Sequence, residues 1–153
     1  MQARMRNPAY VLPDTMQGIQ LLMKSMGQGG VPEQTMALVG LRASQINGGG
    51  ACVHVEAIGA REAGVSDERL LALPAWRETP FFTDAERAAL ALVEAATRLA
   101  DRPGDAVSDE LWEEFAAHYD ERQRAALILY IATGAFFNTI NATIKEQAGT
   151  TWT

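Results

Sequence analysis

Cysteine is nearly absent from this chain of 153 residues, since Cys52 is its single example. One cysteine excludes an intramolecular disulfide, and a free thiol fits a reducing compartment. We therefore expect a cytoplasmic protein.

Positive charge and long apolar runs are also scarce. Lys and Arg number 13 against 19 Asp and Glu, the formal net charge is −6, and no Lys/Arg-rich run occurs. This composition argues against a nucleic-acid partner. No apolar stretch approaches the roughly 20 residues of a membrane span, and no charged segment followed by an apolar run opens the chain. We expect neither nucleic acid nor a membrane as a partner.

The sequence also lacks the alternation of strands, which never persists beyond about four residues. Helical spacing and cap residues predict six to seven helices instead, with starts near residues 14, 32, 51, 66, 83, 108 and 121. Residues 7–13 are expected to be extended. The last helix is expected to run to about residue 147, with its apolar middle (residues 125–135) buried on most sides. The prediction is an all-α fold in a single domain, residues 1–153.

Two of these helices meet at a glycine turn. Asn47 precedes Gly48-Gly49-Gly50, so Cys52 falls in the first turn of the following helix. Unpaired backbone N–H groups and the positive end of the helix dipole favour a thiolate there. Glu56 lies four residues later, on the same helix face. The glycines are expected to leave room for a cavity beside Cys52.

The sequence around this turn resembles a known family. LRASQING, followed by AREAG, DERLLAL and AWRETPFFTDAERAALAL, is similar to the AhpD-like alkylhydroperoxidase branch of the carboxymuconolactone decarboxylase family, over about residues 7–149. The resemblance implies an AhpD-like helical domain, a trimer or hexamer of identical chains, and a small organic hydroperoxide as substrate. We predict no cofactor.

The motif of this family is only partly retained. Members with peroxidase activity carry CxxC at the turn, a histidine four residues after the second cysteine, and a glutamate on the preceding helix. The second cysteine matches Cys52, whereas the other three positions fall on Gly49, Glu56 and Ala37. A sulfenic acid at Cys52 would therefore need an external thiol for its reduction. Cys52 and Glu56 are the predicted catalytic residues.

The predicted pocket includes residues of the last helix as well. Relatives often carry a stretch resembling IATINxWNRLN, in which this chain retains two asparagines and replaces a bulky residue with glycine. We predict that the pocket contains Gly49, Ala37, Gly134, Phe137, Asn138 and Asn141. His54 is expected outside it, because a separation of two residues turns a helical side chain by about 200°.

Alternatives remain open at each catalytic position. Cys52 is either a reactive thiol or a small buried apolar side chain. Glu56 is either a pocket acid with a raised pKa or an exposed carboxylate on the helix surface. No metal site is predicted, since His54 and Glu56 do not form a helical ligand pair and His118 is remote in sequence.

Three functions follow from these alternatives. The first is hydroperoxide reduction through Cys52 with an external thiol. The second is a non-redox enzyme in which Glu56 moves protons on a small carbonyl or lactone-like metabolite. The third is a catalytically silent protein that binds a small molecule.

Overall fold

The computed structural model describes residues 2–150. Throughout this range, cap and turn residues divide the chain into helices. No strand occurs in this part of the chain, so the all-α prediction is confirmed. A 3₁₀ helix at Leu73–Glu78 accompanies eight α-helices, one more than the upper number expected: α1 (Pro8–Val11), α2 (Thr15–Gly27), α3 (Glu33–Asn47), α4 (Gly50–Glu62), α5 (Asp67–Ala72), α6 (Asp84–Thr97), α7 (Asp109–His118) and α8 (Glu121–Ile144).

The additional helix is α1, and the prediction that residues 7–13 are extended was wrong. The side-chain oxygen of Asn7 accepts a hydrogen bond from the backbone N–H of Ala9 at 3.0 Å, and Pro8 occupies the first helical position. Asn as N-cap followed by Pro is a recognised start of a helix. The signal was present, but it opens only a single turn.

Most other helix starts are confirmed by their caps. The hydroxyls of Ser66 and Ser108 accept backbone N–H groups at the starts of α5 and α7. Capping boxes open α6 at Thr83 and α8 at Asp120. The end of α8 lies at Ile144 rather than near residue 147, because Lys145 adopts a left-handed conformation with φ of 57°.

The core lies around α3, which packs against α4, α6 and α8. Several helices contribute the largest fully buried side chains of this core, which include Leu38, Leu41, Leu90, Phe115 and Leu127. Glu94 of α6 joins this core to the 3₁₀ helix, since its carboxylate accepts hydrogen bonds from Arg42 Nε at 2.8 Å and Trp76 Nε1 at 3.0 Å. The candidate site lies where α4 and α8 pack against α3.

Helix α8 is less enclosed than expected. Ile128 and Leu129 are each 43% exposed, so the prediction that residues 125–135 are buried on most sides was wrong for the single chain. Phe136, just beyond this range, is 44% exposed. Leu21 and Leu22 of α2 are exposed as well. By length and composition α8 is the one helix within residues 2–150 that could cross a membrane, which is weak evidence because core helices pass the same test. It packs against α2, α3, α4 and α6.

Candidate functional site

The turn between α3 and α4 positions the cysteine. Gly48 has a φ of 66°, a left-handed conformation that glycine adopts without strain, and it ends α3. Gly49 is extended, and α4 begins one residue later. Cys52 consequently lies in the first turn of α4, as predicted, and it is 8% exposed.

Cys52 and Glu56 line the same cavity. The cavity has a volume of about 440 Å³, and α2, α4, α8 and the C-terminal segment contribute its walls: Met23, Ala51, Cys52, Val55, Glu56, Phe137, Asn141 and Thr150. Most of these side chains are apolar. Four of the predicted site residues are brought together here: Cys52, Glu56, Phe137 and Asn141.

The carboxyl group of Glu56 lies against α3. Tyr130 Oη donates a hydrogen bond to Glu56 Oε2 at 3.4 Å. Burial raises the pKa of Glu56 to about 7, and the hydrogen bond from Tyr130 partly opposes that rise. Near neutral pH this carboxyl group is therefore divided between its protonated and ionised forms, so it can donate or accept a proton.

Gly40 makes this close approach possible. A Cβ atom at Gly40 would lie 2.7 Å from Glu56 Oε2 and 2.9 Å from Tyr130 Cε1, both shorter than real contacts allow. Glycine in the interior of α3 therefore provides the space that the carboxyl group and the tyrosine ring occupy.

A second cavity of about 350 Å³ also borders Glu56. Glu56 and Met23 line both cavities. Ala37, the position matching the glutamate of the family motif, lines the second cavity and not the one beside Cys52. The rest of its wall consists of Met26, Val31, Met36 and Ala63, which are apolar, together with Gly27, Gly59, Glu33 and Tyr130.

Asparagine side chains connect the sulfur to the rest of the fold. Asn141 Nδ2 donates a hydrogen bond to Cys52 Sγ at 3.1 Å. Asn138 does not line the cavity, but its amide donates to Ser44 Oγ at 3.1 Å and accepts from Asn47 Nδ2 at 2.6 Å. It therefore holds the C-terminal end of α3, and with it the glycine turn, against α8.

The other predicted positions lie outside the cavity wall. A Cβ atom at Gly49 would make ordinary contacts, 3.4 Å from Asn138 Nδ2 and 3.7 Å from Cys52 Cβ. Gly134 lines neither cavity, and no heavy atom lies within 4 Å of its Cβ position. His54 is exposed and lines neither cavity. Among residues 2–150, no group of three or more His, Cys, Asp and Glu side chains could hold a metal ion.

Sequence reasoning missed Gly40, Tyr130 and Asn7. Gly40 was detectable as a glycine in the interior of a helical pattern, where a packing reason is expected. Tyr130 lies within the apolar run of α8, and nothing local distinguishes it from a core residue. Asn7 gave only the signal of a helix cap, and its contact with Asn141 spans 134 positions of sequence.

The family model described as the carboxymuconolactone decarboxylase family matches residues 13–95. The uncharacterized protein YdfG of Bacillus subtilis (strain 168) is 32% identical over 138 residues, which cover 90% of this chain and 92% of that protein. The uncharacterized protein YnjA of Escherichia coli (strain K12) is 35% identical over 80 residues, covering 52% of this chain and 42% of that protein.

Solved structures show the same fold. ATU0492 of Agrobacterium tumefaciens, a protein of unknown function proposed to be the antioxidant defence protein AhpD, superposes with a TM-score of 0.86 at 27% identity, covering 98% of this chain and all of that one. The apo debrominase Bmp8 gives a TM-score of 0.75 at 23% identity, covering 89% and 72%. A cysteine-to-alanine variant of Bmp8 with 2,3,4-tribromopyrrole gives 0.74 at 23% identity, covering 88% and 71%. At this identity Bmp8 supports the fold alone.

Proposed function

The chain belongs to the carboxymuconolactone decarboxylase family, and on this premise we propose that it reduces organic hydroperoxides through Cys52. One observation carries the proposal: Cys52 and Glu56 line one largely apolar cavity. The cavity can hold the alkyl part of a hydroperoxide, and the two side chains supply a nucleophile and an acid.

The charges of the two groups are compatible with this chemistry. A thiolate beside a carboxylate would be disfavoured by repulsion, whereas a thiolate beside a protonated carboxyl group is not. Because burial raises the pKa of Glu56 to about 7, a fraction of this carboxyl group is protonated near neutral pH and can act as the acid beside a thiolate. Asn141 donates a hydrogen bond to the sulfur, which stabilises the ionised form further.

The first half of the reaction follows from these positions. The thiolate of Cys52 attacks the terminal oxygen of the hydroperoxide, an S–O bond forms, and the O–O bond breaks. Protonated Glu56 gives its proton to the departing alkoxide. The products are a sulfenic acid on Cys52, an alcohol and the carboxylate of Glu56.

Regeneration requires thiols from outside the chain, because the sequence contains no second cysteine. One external thiol condenses with the sulfenic acid to give a mixed disulfide and water. A second external thiol attacks the mixed disulfide, and Cys52 leaves as a thiolate. The two external thiols depart joined as a disulfide, and the proton of the second thiol passes to Glu56. Such a cycle needs no cofactor or metal, and it fits a reducing compartment such as the cytoplasm.

Consumption of an organic hydroperoxide in the presence of dithiothreitol tests the proposal. We expect turnover by the native chain, a dimedone adduct of one sulfenic acid in its intact mass, and loss of both in Cys52→Ser. Glu56→Gln should slow the first half-reaction, because an amide cannot protonate the alkoxide. An unchanged rate in Cys52→Ser would refute the proposal.

A second candidate function rests on the raised pKa of Glu56 and its contact with Tyr130. In a non-redox enzyme, Glu56 would move a proton on a small carbonyl or lactone-like metabolite bound in the same cavity. The two candidates differ in their dependence on sulfur. Turnover of such a metabolite that survives Cys52→Ser and disappears in Glu56→Gln would favour the acid–base enzyme.

A further inference from the structure

Three hydrogen bonds lead from the first helix to the sulfur of Cys52. The backbone N–H of Ala9 donates to Asn7 Oδ1 at 3.0 Å, and Asn7 Nδ2 donates to Asn141 Oδ1 at 3.4 Å. Asn141 Nδ2 then donates to Cys52 Sγ at 3.1 Å. Each donor in this chain faces towards the sulfur.

We infer that Asn7 is a positioning residue, which acts through Asn141 to direct an N–H donor at the sulfur of Cys52. The inference concerns the same site as the proposed function. It rests on that function in one respect, since both require Cys52 to react as a thiolate. Neither Asn7 nor its contact with Asn141 belongs to the motif by which the family is identified.

The asymmetry of an amide explains why Asn7 matters. The side chain of Asn141 carries one acceptor and one donor group, and only one of its two orientations presents the donor to the sulfur. Asn7 Nδ2 can only donate, so it selects the orientation in which the Asn141 oxygen faces Asn7. The cap on Ala9 fixes Asn7 in the same way, because the backbone N–H requires its oxygen.

The contacts are protected from water and anchored. Asn7, Asn141 and Cys52 are 6%, 5% and 8% exposed, so solvent does not compete for these groups. The segment before Asn7 is attached to the end of α8 by Arg4, whose backbone N–H donates to Ile144 O at 2.7 Å and whose Nη1 donates to Thr143 O at 3.1 Å.

Few charged groups face the sulfur. Glu56 of α4 is the other titratable residue among those that line the cavity, while α2 presents Met23 and α8 presents Phe137 and Asn141 there. The hydrogen bond from Asn141 and the start of α4 are therefore the favourable polar interactions that the site offers to the sulfur.

Alkylation of Cys52 by iodoacetamide across a range of pH tests the inference. Asn7→Ser keeps a hydroxyl that can cap α1 and removes the Nδ2 donor. We expect alkylation near neutral pH to slow about threefold to tenfold, because the thiolate loses a hydrogen bond from a correctly oriented amide. The rate at high pH should not fall, since ionisation is then complete. A variant that merely blocked access to the sulfur would be slower at every pH.

A double-mutant cycle shows whether Asn7 acts through Asn141. Asn141→Leu removes the donor itself and should slow alkylation at least as much as Asn7→Ser. In the Asn141→Leu background, Asn7→Ser should have no further effect. Ser108→Ala serves as a matched control, because it removes a helix cap of α7 far from the sulfur; it should lower the melting temperature and leave the alkylation profile unchanged.

An unchanged profile in Asn7→Ser, or additive effects of the two substitutions, would overturn the inference. The readout also separates this inference from the proposed function. If the native chain consumes no hydroperoxide while alkylation responds as described, the function fails and the role of Asn7 stands. If hydroperoxide is consumed and alkylation does not respond, the proposed function stands and the role of Asn7 fails.

Discussion

Glu56 carries the main electrostatic cost of the site. A carboxyl group that is exposed in the unfolded chain has an ordinary pKa near 4.5, and in the folded chain burial raises the pKa of Glu56 to about 7. The folded state therefore binds an extra proton between these values. The contribution of this group to stability is largest below pH 4.5 and is lost as the pH rises through 7.

The substitution Glu56→Gln tests this cost. It keeps the shape of the side chain and removes the ionisation, so its free energy of unfolding should exceed that of the native chain by a margin that grows between pH 4.5 and 7. The increase should amount to about 2 to 3 kcal/mol. Urea denaturation at several pH values measures it. A constant difference across this range would show that Glu56 titrates alike in both states.

Substitutions of Tyr130 and Gly40 should shift the pKa of Glu56 in opposite directions. Tyr130→Phe removes a hydrogen bond that favours the carboxylate, so the pKa of Glu56 should rise above about 7. Gly40→Ala introduces a methyl group where the carboxyl group lies, so the side chain should turn towards solvent and its pKa should fall. Carbon-13 NMR of labelled glutamate measures both shifts. Shifts of the same sign would contradict the geometry.

The sequence was sufficient to place Cys52 and Glu56 together, because a separation of four residues on a helix puts two side chains on one face. It could not show what surrounds them. Gly40 and Tyr130 reach Glu56 from two other helices, and Asn7 approaches from the opposite end of the chain. Such contacts depend on how helices pack, which no local pattern encodes.

At the scale of the elements, caps explain why most helix starts were predictable. The box of Thr83 with Glu86 and that of Asp120 with Gln123 satisfy backbone donors within four residues of sequence. Two boundaries were predicted wrongly although their causes are local. The single turn of α1 follows the Asn7 cap and Pro8, and α8 ends at Ile144 because Lys145 is left-handed.

Gly48 and Gly134 lie in different backbone settings and should respond in opposite directions to alanine. Gly48 ends α3 with a φ of 66°, so Gly48→Ala should lower the free energy of unfolding by about 1 kcal/mol. Gly134 lies inside α8 with open space at its Cβ position, so Gly134→Ala should raise it by about 1 kcal/mol. Thermal unfolding of both variants provides the comparison. Destabilisation by Gly134→Ala would indicate a contact that a single chain does not show.

For the whole molecule, the uncovered apolar surface is the main feature. Leu22 of α2 and Leu129 and Phe136 of α8 line one apolar groove at the surface, and Ile128 is exposed on the same helix. Exposed apolar surface of this kind marks an interface more often than free surface. We propose that identical chains associate through it, and the resemblance to the family suggests trimers or hexamers.

Light scattering after size-exclusion chromatography tests the assembly. We expect a mass of three or six chains for the native protein and a single chain for Leu129→Lys, because a charge would be buried at the interface. Leu71→Lys is the matched control; Leu71 is 83% exposed on α5, away from the groove, and the substitution should leave the mass unchanged. A native chain that elutes as a monomer at micromolar concentration would contradict the proposal.

Glu56 lines two cavities, and this arrangement bears on the order of events in a catalytic cycle. A carboxyl group that is reachable from one side only must wait for the product to depart before it can recover a proton. Glu56 borders a second cavity that Cys52 does not line. Water in the second cavity can return a proton to Glu56 while the alcohol product still occupies the cavity beside Cys52. Release of the product and reprotonation of Glu56 can therefore occur in either order.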